Sequence, residues 1–598
     1  MKVERKNWQT GLAILIIMAA VLIMLSLQLA TGDVIIGYDT FFHFNRIYDT
    51  AMQFQTHHFN YFMSNFGYRQ SGQIVNALYG PYMAYLLGFL LFLTKSWFWF
   101  EITTAFGILT IAGLGAYGLF RKLRINQGLA VAGAIIYLSQ NFITYWITSS
   151  AFLDWGAMLL PFALMVAIDL LAGSAAKVHF TLAIVVGLLL ETHVLSAVIT
   201  VLMFLPFFIV GWIRSLTKWA YFKKVAANVI LACLLSANYF AAFYNVFINN
   251  RLIPPFRVTN LADGAVQFST TNLTQSGLGI VLMVIISLQG LFIIFNFKRS
   301  RLNLMLTTVG FLFYLISSTL FPWNQIGKIL PDFQDFLQFP SRFLAFAGLL
   351  LLTGFLLSLN QFIANWSQSL LKNSSYALVG LLAVMALMLG VKNIKIQLDN
   401  NWQMTAHAPQ VGVYGAHLFP NGFYQSGISN QRLKQDFHAA NLVTPLNDVI
   451  RATTDYLPNT TKQATVSGLQ DQYRKQITDN NRNYHKQVLA NGSMQLTWKN
   501  NQAARVVQIP MVAYRDTQVR LNGKELHETN TDEHLSPDQY RRSDIGAIQV
   551  RAATGKNRMV VSYQAPWYFT GALFVSLLAW ILTLGLELLR KIRKNRLV

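Results

Sequence analysis

The sequence predicts a polytopic α-helical membrane protein of about twelve spans, with an extracytoplasmic α+β domain, mostly β and sandwich-like, before the last helix. Three observations carry this. The 598-residue chain is 54% hydrophobic and 12% charged, too apolar for a soluble protein. Thirteen apolar runs recur along it. Between residues 392 and 565 the composition turns polar and no run long enough to span remains.

The first run, 10–30, carries no charge. It is too long for the apolar core of a cleaved signal and its small-residue flank is weak, so it reads as an uncleaved anchor. The others lie near 77–94, 99–119, 128–146, 156–172, 178–192, 194–212, 225–246, 276–296, 302–320, 341–359, 375–391 and 566–587. Basic clusters assign the sides. Lys2, Arg5 and Lys6 place the N-terminus in the cytoplasm, and Arg590, Lys591, Arg593, Lys594 and Arg596 place the C-terminus there. Two cytoplasmic ends require an even number of crossings. Arg121 to Arg124, Arg214 to Lys224 and Lys298 to Arg301 also fall inside if 77–94 does not cross. That segment holds Gly80 and Pro81 and precedes the aromatic Trp97-Phe-Trp-Phe100, so it reads as re-entrant or interface-lying on the outer side. Merging 178–212 into one span would put Arg121 to Arg124 outside.

Three domains follow: a transmembrane domain over 1–391, whose first outer loop is 31–98; an extracytoplasmic domain over 392–565; and a last helix with a basic tail over 566–598. In the middle domain, 430–455 reads as helical. Later segments alternate as strands do, at Met494 to Trp498, Val506 to Ile509, Gln518 to Leu521, Ala547 to Val550 and Arg558 to Tyr563. Asn522-Gly523 predicts a hairpin turn, and Thr554-Gly555-Lys556 another turn. The net charge of +22 suits topology and anionic lipid rather than nucleic acid. The single cysteine, Cys233, excludes a disulfide framework and a thiolate metal site.

The candidate site begins at Asp39-Thr-Phe-Phe-His43-Phe-Asn-Arg46. On a helix Asp39, His43 and Arg46 fall on one face, with Phe41, Phe42 and Phe44 placed to seat the helix in the interface. The Asp39 carboxylate suits a general base or a metal ligand, and Arg46 a phosphate contact or the counter-ion of Asp39. Asp154 opens a span on the same side, either as a second functional carboxylate or as an N-terminal helix charge. In Glu191-Thr192-His193 the two titratable side chains point about 200° apart on a helix, so they are no ready metal pair, and His193 is the functional candidate. Gln338-Phe-Pro-Ser-Arg342 puts an outer-leaflet arginine at a proline-set helix start, which suits a phosphate or a side chain snorkelling at the interface. No nucleotide-binding loop, HExxH or zinc spacing occurs.

The Asp39 to Arg46 stretch, Glu191-Thr-His193-x-Leu-Ser196 and Gln338-Phe-Pro-Ser-Arg342 resemble bacterial membrane proteins classed as 6-pyruvoyl-tetrahydropterin synthase-related. That family label carries no pterin chemistry. Ser341 stands where the family often has Trp. The outer domain with Asn522-Gly-Lys524 and Val560-Val-Ser-Tyr563, followed by a last span, resembles YfhO-like membrane proteins. Both groups are similar to GT-C glycosyltransferases, which use polyprenyl-phosphate sugars on the outer face. The resemblance implies a catalytic Asp39, a second acidic residue at Asp154, and interface helices in the first outer loop. Some members bind a divalent metal, Mg2+ or Mn2+, between such carboxylates. The expected function is therefore transfer of a sugar from a polyprenyl-phosphate donor to a cell-envelope glycopolymer, a teichoic acid or polysaccharide. Asp39 would serve as base, and Arg342, Arg46, His43, His193 and Gln338 as donor-binding groups. The alternatives are a transporter or flippase of lipid-linked saccharides, and a non-catalytic envelope-assembly scaffold in which these side chains do not converge.

Overall fold

The computed structural model describes residues 2–255, 257–268, 277–365, 368–401, 417–418, 425–426, 428–460, 466–530 and 535–596. Helix α1 (Lys2–Thr31) is followed, in the first loop, by α2 (Thr40–Thr56) and α3 (Pro81–Thr94). Then come α4 (Trp97–Lys122), α5 (Gln127–Leu138), α6 (Asn141–Ser149), α7 (Leu153–Ala157), α8 (Leu160–Leu171), α9 (Thr181–Leu190) and α10 (Val194–Arg214). Next are α11 (Lys218–Leu235), α12 (Ala237–Asn249), α13 (Ile280–Asn296), α14 (Arg301–Ser317), and the short α15 (Trp323–Ile329) and α16 (Asp332–Phe336). A 3-10 turn, Pro340–Phe343, leads into α17 (Leu344–Asn365), and α18 (Ser369–Asn401) follows.

Each of the thirteen apolar runs contains helix, although Gly277–Leu278, ahead of α13, is a two-residue strand. Among the described residues, eight units are long and apolar enough to cross a membrane: α1, α4, α5–α6, α7–α8, α10, the unit from Pro340 to Asn365, α18 and the last helix. A ninth is α11–α12, bent by 63°. Helices α3, α9, α13 and α14 are apolar but have 10–17 residues. A helix of that length reaches at most about 25 Å, short of the ~30 Å hydrocarbon layer. The expected twelve spans therefore need α9, α13 and α14 to cross as well, with α3 alone lying outside the count.

Local chemistry sets the breaks. Gly80-Pro81 starts α3, with Gly80 left-handed and Pro at the first helical position. The Ser96 side chain accepts from the Trp99 N–H at the head of α4, and Ser300 caps α14 in the same way. Helices α13, α14 and α17 are clasped by a closed polar network. Gln289 donates to Asn303 (3.0 Å) and Thr307 (2.7 Å), Asn303 to Ser358 (2.7 Å), and Ser358 to Gln289 (2.7 Å).

The polar region holds α19 (Asn430–His438) and α20 (Val443–Asp448), as expected, followed by α21 (Val466–Tyr473). Eight strands come next: β1 (His485–Val488), β2 (Met494–Asn500), β3 (Arg505–Val512), β4 (Thr517–Leu521), β5 (Lys524–Glu528), β6 (Gln539–Arg542), β7 (Ala547–Ala552) and β8 (Gly555–Tyr563). They form one sheet in the order β3-β7-β6-β5-β4-β8-β2-β1. The chain ends in α22 (Trp567–Arg596), which packs on α11 and α12.

The sandwich expectation is corrected here: the strands build a single curled sheet around one core of Met494, Leu496, Ile509, Val519, Val550 and Val561. Alternating apolar residues specify one inward face per strand, which a sandwich and a curled sheet share. What separates them is the approach of the sheet's two edges. Beside β1, the Tyr484 hydroxyl and the Asn480 amide donate to the Gln508 carbonyl of β3, at 2.7 and 2.8 Å. The hairpin at Asn522-Gly523 is present, pairing Leu521 with Lys524, both turn residues having positive φ. The turn at Thr554-Gly555 instead joins β7 to β8, which are not neighbours.

The sheet is bolted to the first loop. A two-residue hairpin there, Met63–Ser64 with Gln73–Ile74, sends Met63 into the sheet core. Lys486 is half-buried and donates to the carbonyls of Arg69, Gln70 and Pro510 at 2.8 to 3.0 Å. The Asn60 and Asn65 amides both reach the Gly492 carbonyl.

Candidate functional site

Helix α2 positions the first group of residues, but differently from the expectation. Asp39 is the residue before the helix rather than part of it, and the His43 N–H donates to its carbonyl at 3.0 Å. The phenylalanines face protein rather than an interface: Phe41 and Phe44 are buried, and Phe44 stacks on Trp97 at 4.1 Å. The loop carrying Asp39 lies against the end of α6. The Asp39 N–H donates to the Ser149 carbonyl (3.4 Å), and the hydroxyls of Thr40 and Ser150 share a 2.6 Å hydrogen bond. Only glycine fits at position 37, because a Cβ there would lie 2.1 Å from Ser149 Cα.

Asp39 is half-buried. Among the described residues its carboxylate makes no hydrogen bond and no ion pair, and it does not cap its helix. Burial pushes its pKa up, against the pull of Arg451 and Arg342, the two cations in electrostatic reach. An acid raised by burial and unencumbered by donors is basic for its kind.

Arg46 is not the partner of Asp39. It is fully buried. Its Nε donates to Asn76 (3.0 Å) and its Nη2 to the Tyr79 carbonyl, while Nη1 lies 3.5 Å from His43 Nδ1. Its guanidinium sits 4.6 Å from the Tyr79 ring and 5.0 Å from that of Phe152. Its donor fork is thus occupied with holding the 76–80 turn, which corrects the expectation of a bidentate phosphate contact. His43 is buried, stacked on Phe152 at 4.7 Å. Burial first, then Arg46, Arg451 and His193, push its pKa well below the usual imidazole range, so it is a neutral wall of the site.

His193 faces Tyr79, ring to ring, at 6.1 Å. It caps α10: its Nδ1 accepts from the Ser196 N–H (3.3 Å) and contacts the Ser196 hydroxyl at 2.8 Å. Burial, with Arg342 and Arg46, lowers its pKa to about 3. The ring is therefore neutral with its proton on Nε2, leaving an N–H donor rather than a cation.

Arg342 lies in the 3-10 turn before α17. Its Nη1 donates to the carbonyls of Phe336 (3.1 Å) and Leu337 (2.9 Å), and its Nη2 to Gln338 Oε1 (3.0 Å). Its buried Nε has no partner. Gln338, at φ 56, thus orients the arginine rather than standing as a separate ligand. The charge of Arg342 is felt at Asp39, Tyr79 and His193.

Asp154 does not join this group. It is completely buried, and its Oδ2 accepts from the Trp146 backbone N–H, a link that ties α7 to α6. Its Oδ1 has no partner. Among the described residues no three His, Cys, Asp or Glu side chains converge.

The polar region supplies a wall that sequence reasoning missed. Residues 451–458 lie across the site. Arg451 donates to the Tyr38 carbonyl and is in electrostatic reach of Asp39 and His43. Asp455 is raised to about 6 by burial, moderated by Arg451 and reinforced by Asp39. Tyr456 is held at φ 65, a costly conformation for an aromatic residue. The strand-like 251–253 segment imposes it: the Tyr456 N–H donates to Ile253 (2.9 Å) and the Ile253 N–H to Leu457 (2.7 Å). Gln73 and Tyr514 bond the carbonyls of Asp455 and Tyr456. The sequence signal was slight, an Arg and an Asp in a polar stretch ending in Leu457-Pro458.

The structure thus gathers Asp39, Arg342, Asp455 and His193 around Tyr79, with Arg451 in reach of Asp39 and Asp455, beside Arg46, His43 and Phe152. No protein-family model matches the chain, and no curated protein does either.

Proposed function

We propose that the chain is a GT-C-like membrane glycosyltransferase with twelve spans, both termini cytoplasmic, and the curled-sheet domain on the outer face. A polyprenyl-phosphate sugar is the donor and a cell-envelope glycopolymer, such as a teichoic acid or polysaccharide, is the acceptor. The single observation that carries this reading is the Asp39 carboxylate: half-buried, free of hydrogen bonds, and opposed by Arg342 and Arg451. A base and a cationic pair at one place are what phosphate-leaving sugar transfer needs.

In the reaction, Asp39 takes the proton of the acceptor hydroxyl. The acceptor oxygen bonds to the anomeric carbon as the bond from that carbon to the phosphate oxygen breaks. The electron pair leaves on the polyprenyl phosphate, whose gain in charge is met by Arg342, Arg451 and the His193 Nε2–H. Attack opposite the leaving group inverts the anomeric centre. Asp455, on the sheet-domain loop, is placed to hold sugar hydroxyls.

The test is a purified enzyme supplied with a polyprenyl-phosphate hexose and envelope polymer. Asp39→Asn is expected to lower turnover at least about 10³-fold, and Arg342→Ala to weaken donor use comparably. Turnover that survives both changes would sink the reading. The bent pair α11–α12 favours a second one, transport of lipid-linked saccharides, because discontinuous helices recur in transporters. Movement of the lipid-linked sugar across vesicles with no glycosidic bond formed would select it.

A further inference from the structure

At the 191–193 turn lies a second buried polar group. Glu191 is 3% exposed. Its Oε2 accepts from the Tyr82 backbone N–H at 3.3 Å, and its Oε1 has no partner. Facing it is Asn238 of α12, fully buried, whose amide reaches the Glu191 carboxylate and donates to the Tyr61 hydroxyl at 3.1 Å. Asn238 Oδ1 is also without a partner, and so is the buried Ser236 hydroxyl two residues earlier, at the 63° break between α11 and α12. Tyr61, Tyr82 and Tyr239 complete the surroundings in electrostatic reach of Glu191. The break is closed from behind by α22: Ser576 and Trp580 both donate to the Leu235 carbonyl, at 2.6 and 2.9 Å.

The contrast with Asp39 is instructive. Two arginines act on Asp39, whereas the groups acting on Glu191 are a backbone N–H and a neutral amide. A buried carboxylate with no cationic side chain is strongly disfavoured until something neutralises it. Two unmatched oxygens on facing residues, a carboxylate Oε1 and an amide Oδ1, each carry the cost of an unmade contact. An oxygen-binding cation meets both demands at once. One carboxylate balances one positive charge, and no second acidic group acts on Glu191. Broken helices are a recurrent setting for such ions.

We propose that Glu191 and Asn238, at the α11–α12 break, bind a monovalent alkali cation that locks α12 to the 191–193 turn. Because that turn also carries His193, the ion sets the position of one wall of the candidate site. The inference does not depend on the transferase reading.

Full-length protein in detergent is melted in choline chloride and in NaCl, KCl or LiCl at fixed ionic strength and pH. The expected result is a saturable rise in Tm with one alkali ion, absent in Glu191→Gln, and half-saturation shifted tenfold or more upward in Asn238→Ala. Equilibrium binding of radioactive sodium or rubidium to the wild type should saturate near one ion per chain, which keeps the test valid if a variant does not fold. Equal melts in choline and every alkali salt would overturn the proposal. So would a cation response that survives in Glu191→Gln, or a melt that responds to pH and to no cation, which assigns a bound proton instead.

Discussion

Gly37, Gly156 and Asp455 illustrate how much of the site depends on single residues. A Cβ at Gly156 would meet the Ser196 hydroxyl at 2.3 Å, displacing the residue that orients His193. Gly156→Ala should therefore lower stability by roughly 1–3 kcal/mol and impair turnover, read by thermal unfolding and by the transfer assay. Ser196→Gly in the same chain should restore part of the loss. Asp455 gives a pH prediction. Its pKa is raised from 3.8 to about 6, so the folded chain holds the proton more tightly than the unfolded one. The stabilisation is complete below pH 4 and is lost as pH rises through about 6, a change of roughly 1–3 kcal/mol. Denaturant titrations of wild type and Asp455→Asn between pH 4 and 7 check this; a constant difference between the two would refute it.

At the scale of elements, the closed network of Gln289, Asn303, Thr307 and Ser358 fastens α13 and α14 to α17, the helix that Arg342 precedes. Gly354 makes the approach feasible, since a Cβ there would stand 3.0–3.1 Å from three polar atoms of the network. Gln289→Leu removes donors and acceptors together and leaves Asn303 and Ser358 partly unmatched. The expected cost is about 1–2 kcal/mol in an apolar setting, measured as a lower midpoint of detergent-induced unfolding. The same approach explains why α13 and α14 can be short: their inner faces are specified by polar pairing as well as by apolar contact.

For the whole molecule, the arrangement of helices and sheet domain makes a topology prediction that the single Cys233 renders easy to test. In a Cys233→Ser background, Arg520→Cys, on the exposed face of β4, should react with a membrane-impermeant thiol reagent in intact cells. Arg593→Cys, on α22, should react only after lysis. The opposite pattern would invert the proposed orientation and place Asp39 away from any outer-face donor. Because the first loop, α2 and the sheet domain are interlocked through Lys486, Arg69 and Met63, the sheet domain is also expected to be inseparable from the site. Lys486→Met, which removes three hydrogen bonds at once, should weaken turnover although it touches no substrate.

By itself, the sequence determined the helical character of every apolar run, the polar region between residues 392 and 565, and most of its strands. These depend on local pattern, which hydropathy and alternation report directly. It also marked Asp39, His193 and Arg342, because charged and polar groups beside apolar runs are conspicuous. Only the tertiary structure decided which groups surround them. It turned Asp154 onto the backbone of α6, occupied the Arg46 fork with Asn76 and Tyr79, and carried Arg451 and Asp455 across some four hundred residues of chain to face Asp39. Which donor meets which acceptor is a long-range matter, and so is the choice of a curled sheet over a sandwich. Neither leaves a periodic trace in the residues that take part.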